Sequence, residues 1–331
     1  MRAARDHTET GRGVPVRPFR EDDYPRSVGI RNLSYPDLAG TVEEARYEEA
    51  NWDYHHYTRL RFIAEDDGGT AIGFGRINHV PDEFHPDKYS LDVVVDPAYR
   101  RRGVGSVIYD RLIAELKARS AIAARANVPW ETEVEGIQFL TPRGFVEVQR
   151  GWQLRLHVAA VDLMRFGGAE DRAGIHGITL TTLAAEQGHD PETLRKAYEL
   201  TNACEQDIPS ADQVTATSYE HFLAYAVRSP NTLPDAFFLA TDGERYVGVS
   251  ALYRSLGMPG VLNQGLTGVL REYRGRGIAM ALKLLTVRYA RERGYDEIRT
   301  WNDERNQPML RINTALGFAK QPAWITFEKA L

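Results

Sequence analysis

Two short stretches combine arginine and glycine at the spacing an anion-binding turn needs, YRRRGVG at Tyr99–Gly105 and YRGRGIA at Tyr273–Ala279. In the first, Gly103 and Gly105 leave no side chain to block close approach; in the second, Gly277 and Ala279 do the same. The backbone N–H groups of such a turn converge on one point, and a helix starting there adds the positive end of its dipole. Arg100, Arg101 and Arg102, with Val104 and Ser106 completing the turn, put positive charge beside the first site. Arg274, Gly275, Arg276 and Ile278 form the second. A pyrophosphate matches this chemistry, whereas glycines that merely permit a tight strand-to-helix turn would account for one isolated copy. A dinucleotide-binding turn fits poorly, because Gly103–Ile108 lacks the third glycine and no six-strand parallel pattern surrounds it.

The elements that must position these turns recur as well. Arg100 maps to Arg274 at an offset of 174, Ile72–Phe74 to Val247–Val249 at 175, and Arg143–Phe145 to Leu316–Phe318 at 173. Chance glycine pairs would scatter these offsets, so the chain reads as two homologous domains in tandem. The expected division is a loose tail at 1–13, an N-terminal domain at 14–158, a glycine-rich linker at 159–175 and a C-terminal domain at 176–331. In each copy a hairpin feeds a nearly continuous apolar strand, Leu91–Val95 or Leu266–Leu270, before the glycine turn. A helix follows, with apolar residues on one face at Ile108, Leu112, Ile113 and Leu116, or at Leu282, Leu285 and Tyr289. The expected fold class is therefore α/β, of the α+β kind: two domains, each a mostly antiparallel mixed sheet flanked by helices.

Composition narrows the chemistry further. With 41 basic and 46 acidic residues the formal charge is −5, which gives no polyanion footprint and argues against nucleic acid as a partner. The single cysteine, Cys204, excludes an internal disulfide framework and a cysteine-rich metal site. No apolar run approaches the ~18 residues of a membrane span, and no secretory segment is evident at the N-terminus, so a cytoplasmic protein without a membrane partner is expected.

The wording around both turns resembles the GNAT superfamily of acyl-CoA-dependent N-acyltransferases. Val95–Gly105 is close to that family's CoA pyrophosphate loop, Val16–Asp23 resembles its first strand and turn, and Asn302–Phe318 resembles its later CoA-contact segment. The doubled arrangement is similar to the branch that holds the mycothiol synthases and the tandem acetyltransferases of actinomycete specialised (antibiotic) metabolism. The resemblance implies acetyl-CoA as co-substrate, no metal, and direct transfer to the amine of a small metabolite. A non-catalytic CoA-binding or sensing protein, and an acyltransferase using a longer acyl chain, are the alternatives. It also implies that CoA contacts run through Val93, Val94 and Val95, Gly268, Val269 and Leu270, both glycine loops, Asn302 and Asn306. A bulge in each of these strands would free N–H groups for the thioester carbonyl and the pantetheine amides.

The departures from that pattern bear on mechanism. Many family members place a tyrosine four residues before the Gly-Phe pair to protonate the leaving thiolate; here Leu140 and Asn313 stand there. Asn313 is left as a hydrogen-bonding candidate and Asp92 as the candidate base. Glu205 and Asp207 could attract an ammonium substrate or simply face solvent. Glu133 replaces, in the first copy, the Asn306 of the second. The resemblance gives CoA-binding capacity to both loops and tilts catalysis towards the C-terminal copy. His55 and His56, expected on a helix and pointing apart, read as a surface pair rather than metal ligands. Cys204, with no base nearby, reads as a half-buried bystander.

Overall fold

The computed structural model of the protein describes residues 13–168, 174 and 177–331. The expected tail, apart from Gly13, and residues 169–173 and 175 of the expected linker lie outside the described residues. The first half runs β1 (Val16–Pro18), α1 (Tyr24–Ser34), α2 (Val42–Ala50), β2 (Arg59–Glu65), β3 (Ala71–Asn78), β4 (Lys88–Val95), α3 (Val104–Ala118), β5 (Ala123–Val128), α4 (Val134–Leu140) and β6 (Val146–His157). The second runs β7 (Ile178–Thr182), α5 (Leu183–Gln187), α6 (Thr193–Glu205), α7 (Tyr219–Phe222), β8 (Thr232–Asp242), β9 (Arg245–Arg254), β10 (Val261–Val269), α8 (Ile278–Glu292), β11 (Glu297–Asp303), α9 (Gln307–Leu316) and β12 (Ala319–Ala330).

The strands form one twelve-stranded sheet in the order β1-β2-β3-β4-β5-β12-β6-β11-β10-β9-β8-β7. Among the described residues only β4–β5 and β10–β11 pair in parallel, so the mixed, mostly antiparallel character expected of each copy holds. The two copies are nonetheless not separate sheets. Their closing strands are exchanged: β12 lies against β5 of the first half, and β6 lies against β11 of the second. The β6–β12 pair then joins the halves across the middle of the sheet. Directly after β6 the chain stays packed: Val158 and Val161 are buried, and Arg291 of α8 donates to the Val158 carbonyl at 3.0 Å.

Packing explains why the glycine turns are held rigidly. Ile108, Leu112 and Leu116 of α3 are fully buried on β3, where a Cβ at Gly75 would come within 2.4 Å of Ile108. Glycine is therefore required there for the helix to sit this close. Helix α8 is enclosed more widely than its apolar stripe suggests, since Lys283 and Thr286 are buried along with Leu282, Leu284 and Val287. The halves are also tied by polar contacts. Arg125 of β5 bridges Glu83, Asp212 and Glu328, Lys88 pairs with Asp212 at 2.9 Å, and the Asn231 amide donates to Glu44 at 2.6 Å. Among the described residues, no helix is long and apolar enough to cross a membrane.

Candidate active site

The site is built where β4 and β5 part. They pair only from Lys88–Ser90 with Ala123–Arg125, while β4 continues to Val95 along β3 without a register shift. Beyond Ser90 the backbone groups of β4 that point towards β5 have no partner strand, and Asp92 to Val95 form one wall of the opening. The expected bulge is absent from β4. It is present in β10, where the register against β9 shifts between Gln264 and Thr267. Strand divergence alone opens the first copy.

At the end of β4 the chain turns through Asp96, whose carboxylate caps Ala98 and accepts from Arg26 at 2.5 Å. Gly103, at φ +86°, starts α3. Arg101 also has positive φ, +60°, and its counterpart in the second copy is Gly275 at +79°. A left-handed arginine is a strained choice that surrounding structure must sustain, as happens at binding sites. The N–H groups of Arg101 to Gly105 meet no protein acceptor, and a Cβ at Gly103 would meet nothing within 4 Å. Free donors around an open, positively biased helix start suit a diphosphate.

This loop lies on the wall of a cleft of about 1530 Å³ between the halves. Single small-molecule pockets hold roughly 300–1,000 Å³, so there is room for a long nucleotide-bearing substrate and an acceptor together. Arg100, Arg101, Gly103, Gly105 and Ser106 line it, as do Leu140 and, from the second half, Asn302 and Glu205. Arg274 to Ala279 do not. In the second copy the terminus of α6 covers the equivalent ground. Cys204 packs so closely on Gly268 that a Cβ there would fall 2.5 Å from it, and Asp207 pairs with both Arg271 and Arg274. Asp207 is thus no open anchor for an ammonium, because its two oxygens are taken by the loop's own arginines.

The remaining candidates separate in the same way. Asp92 lines the cleft, with Oδ2 held by Arg76 Nε at 3.0 Å and Nη2 at 2.5 Å. Asn313 is fully buried outside the cleft lining. Its Nδ2 donates to Asn302 at 2.6 Å, and its Oδ1 has no partner. Asn306 spends its side-chain oxygen capping α9, accepting from Met309 N at 3.3 Å. Cys204 is more buried than expected, and that burial pushes its thiol up to about 12. His55 and His56 sit in a turn after α2 rather than on a helix, with His56 Nδ1 2.6 Å from Asp53 Oδ2.

Two groups at the cleft, Tyr35 and Arg59, escaped the sequence reading, and a third, Glu205, was read there only as a possible anchor for an ammonium substrate. The Tyr35 hydroxyl donates to Glu133 at 3.2 Å, and burial, then the Glu133 charge, holds the phenol above its usual range. Burial, with a smaller contribution from Asp82, raises Glu205 to about 7. Arg59 of β2 lines the cleft from inside a stack on Trp52, 3.7 Å from the ring centroid. Tyr35 and Arg59 lie in no motif, and only the tertiary structure brings all three to one space.

Comparison with known proteins agrees with this architecture. The acetyltransferase (GNAT) family profile matches residues 28–132 and again 194–318. A mycothiol acetyltransferase of Rhodococcus erythropolis is 26% identical over 274 residues, covering 82% of this chain and 85% of that protein. One from Mycobacteroides abscessus is 26% identical over 266 residues, covering 79% and 82%. Among solved structures, a tandem GNAT protein of the clavulanic acid biosynthesis pathway superposes with a TM-score of 0.73 at 18% identity, covering 96% of this chain and 98% of that one. A GCN5-related N-acetyltransferase from Sphaerobacter thermophilus gives 0.65 at 17%, covering 96% and 95%. With the profile matched twice over well more than half its length, the chain belongs to the acetyltransferase (GNAT) family, as a tandem pair of its domains.

Proposed function

We propose that the protein transfers the acetyl group of acetyl-CoA directly to the amine of a small metabolite, in the cleft between its halves, with the first copy holding the CoA. The carrying observation is that the free N–H groups of Arg101–Gly105 and the unpaired edge of β4 share one wall of the cleft, whereas no residue of Arg274–Ala279 lines it and Arg274 is paired with Asp207. Acetyl-CoA supplies an activated thioester and a thiolate leaving group. The loop and the dipole of α3 hold the diphosphate, and the free edge of β4 offers N–H donors to the amides and the carbonyl. Asp92, held in place by Arg76, binds the ammonium form of the acceptor. Glu205 takes the proton, because a carboxyl titrating near 7 accepts one at neutral pH without being lost to it. Tyr35, kept protonated, donates to the departing sulfur in place of the hydroxyl that Leu140 cannot supply. Asn313 acts at one remove, by orienting Asn302.

A thiol-release screen of acetyl-CoA against primary amines tests this reading. Turnover well above background hydrolysis for at least one amine class is expected, and hydrolysis alone across the panel would overturn it.

A further inference from the structure

Arg59 is an arginine without a hydrogen bond. Its side chain is 8% exposed, its Nε is buried without a partner, and its ion pair to Glu49 Oε2, an oxygen without a hydrogen bond, is long at 3.6 Å, with Glu48 and Arg76 also close enough to act on its charge. A buried guanidinium carries five N–H donors, and leaving them unmade is costly, so native structures satisfy them. The neighbouring charges do not do so. Arg61 pairs with Glu49 at 3.0 Å and Arg76 with Asp92, which leaves Arg59 only a long share of Glu49, beside the exposed Glu48 on the cleft wall. Stacking on Trp52 holds the guanidinium plane in place and leaves its edge free for a planar, two-pronged partner. The facing element is a π-turn at Leu223–Val227, closed by Arg228 N to Leu223 O at 2.9 Å. Such turns gather at functional sites. This one is docked by Tyr47 Oη on the Ala224 carbonyl at 2.9 Å, and its Tyr225 lines the same space.

We infer that Arg59 is the recognition point for an oxyanion, a carboxylate or a phosphate, carried by the acetyl acceptor, so that the acceptor is an amine that also bears a negative group. This rests on the transfer reading above and adds the acceptor's class. Arg59 binds and selects; it does not touch the reacting atoms.

The test uses matched amines: a free carboxylate against its amide, and a phosphate monoester against its alcohol. Each pair is assayed for thiol release and, separately, for binding by calorimetry without acetyl-CoA, on the full chain and on Arg59→Met and Arg59→Lys. The wild type should prefer the anionic member of at least one pair by about 100-fold in kcat/KM, mostly through KM. The pair that shows it distinguishes carboxylate from phosphate. Arg59→Met should erase that preference while keeping acetyl-CoA affinity and melting temperature, and Arg59→Lys should restore part of it. Equal use and equal binding of anionic and neutral members by the wild type would overturn the inference, as would a preference that survives in Arg59→Met. Anion-dependent binding lost in Arg59→Met, with no amine turned over, would leave this site standing and remove the transfer reading instead.

Discussion

Glu205 gives the mechanism a signature that needs no knowledge of the acceptor. Its carboxyl ordinarily titrates at 4.5 and is raised to about 7, first by burial and then by the charge of Asp82. At about 1.4 kcal/mol per unit the shift corresponds to roughly 3 kcal/mol, and partial screening by the open cleft reduces it to about 1–3. Between pH 4.5 and 7 the folded protein holds a proton that the unfolded chain has already released. Stability from this group therefore falls as pH rises through that window and is flat above it. Glu205→Gln removes the titration. Melting curves from pH 4.5 to 8 should show the variant gaining on the wild type by about 1–3 kcal/mol across the window, a few degrees in Tm. In the same variant kcat/KM should lose the rise with apparent pKa near 7 that the wild type shows. Melting curves that run parallel for the two proteins over the whole range would refute the burial argument. An unchanged pH–rate profile would remove Glu205 from proton transfer.

Other consequences follow from equally local geometry. Lys283 is buried with its Nζ unpartnered 4.8 Å from the Phe318 ring centroid, and burial pushes it down to about 7. Lys283→Met should stabilise the fold by roughly 3–5 kcal/mol at pH 6, with the gain shrinking from pH 7 towards 10.5 as the unfolded lysine also loses its charge; chemical denaturation at several pH values checks this. Asp207→Asn weakens the carboxylate's hold on Arg271 and Arg274, so CoA affinity at the second loop should rise, and an unchanged binding isotherm would show that Asp207 does not cover it. Tyr35→Phe should lower kcat by about 10–100-fold with acetyl-CoA affinity intact; a rate loss confined to KM would contradict its role as the proton donor.

How much of this was legible depends on what each residue is asked to do. The anion turns were readable because their work is done by backbone, and glycine is the residue that exposes backbone, as at Gly103 and Gly277. The strained Arg101 was not, since its left-handed φ shows only beside Gly275 in the other copy. The repeat gave the elements of each copy but not the exchange of β6 and β12. Leu154 and Leu156, or Ile325 and Phe327, alternate in the same way whichever strand lies alongside. Asp207 looked available because sequence does not reveal that Arg271 and Arg274 fold back onto it. Arg59 stands in no motif, and only packing against Trp52 and the cleft makes it conspicuous.

The location of the chemistry is tested most directly by titrating acetyl-CoA into the wild type, Gly103→Glu and Gly277→Glu by calorimetry, with turnover measured on the same samples. At Gly103 a Cβ meets nothing within 4 Å, so the substitution costs about 1–2 kcal/mol for a left-handed side chain and leaves the fold in place. Its carboxylate then occupies the diphosphate position and repels that charge. The account predicts at least about a 100-fold loss of affinity at the catalytic site and no measurable turnover in Gly103→Glu, an effect of about 3 kcal/mol. Turnover should persist in Gly277→Glu. Full activity in Gly103→Glu together with none in Gly277→Glu would contradict it and move catalysis to the second copy.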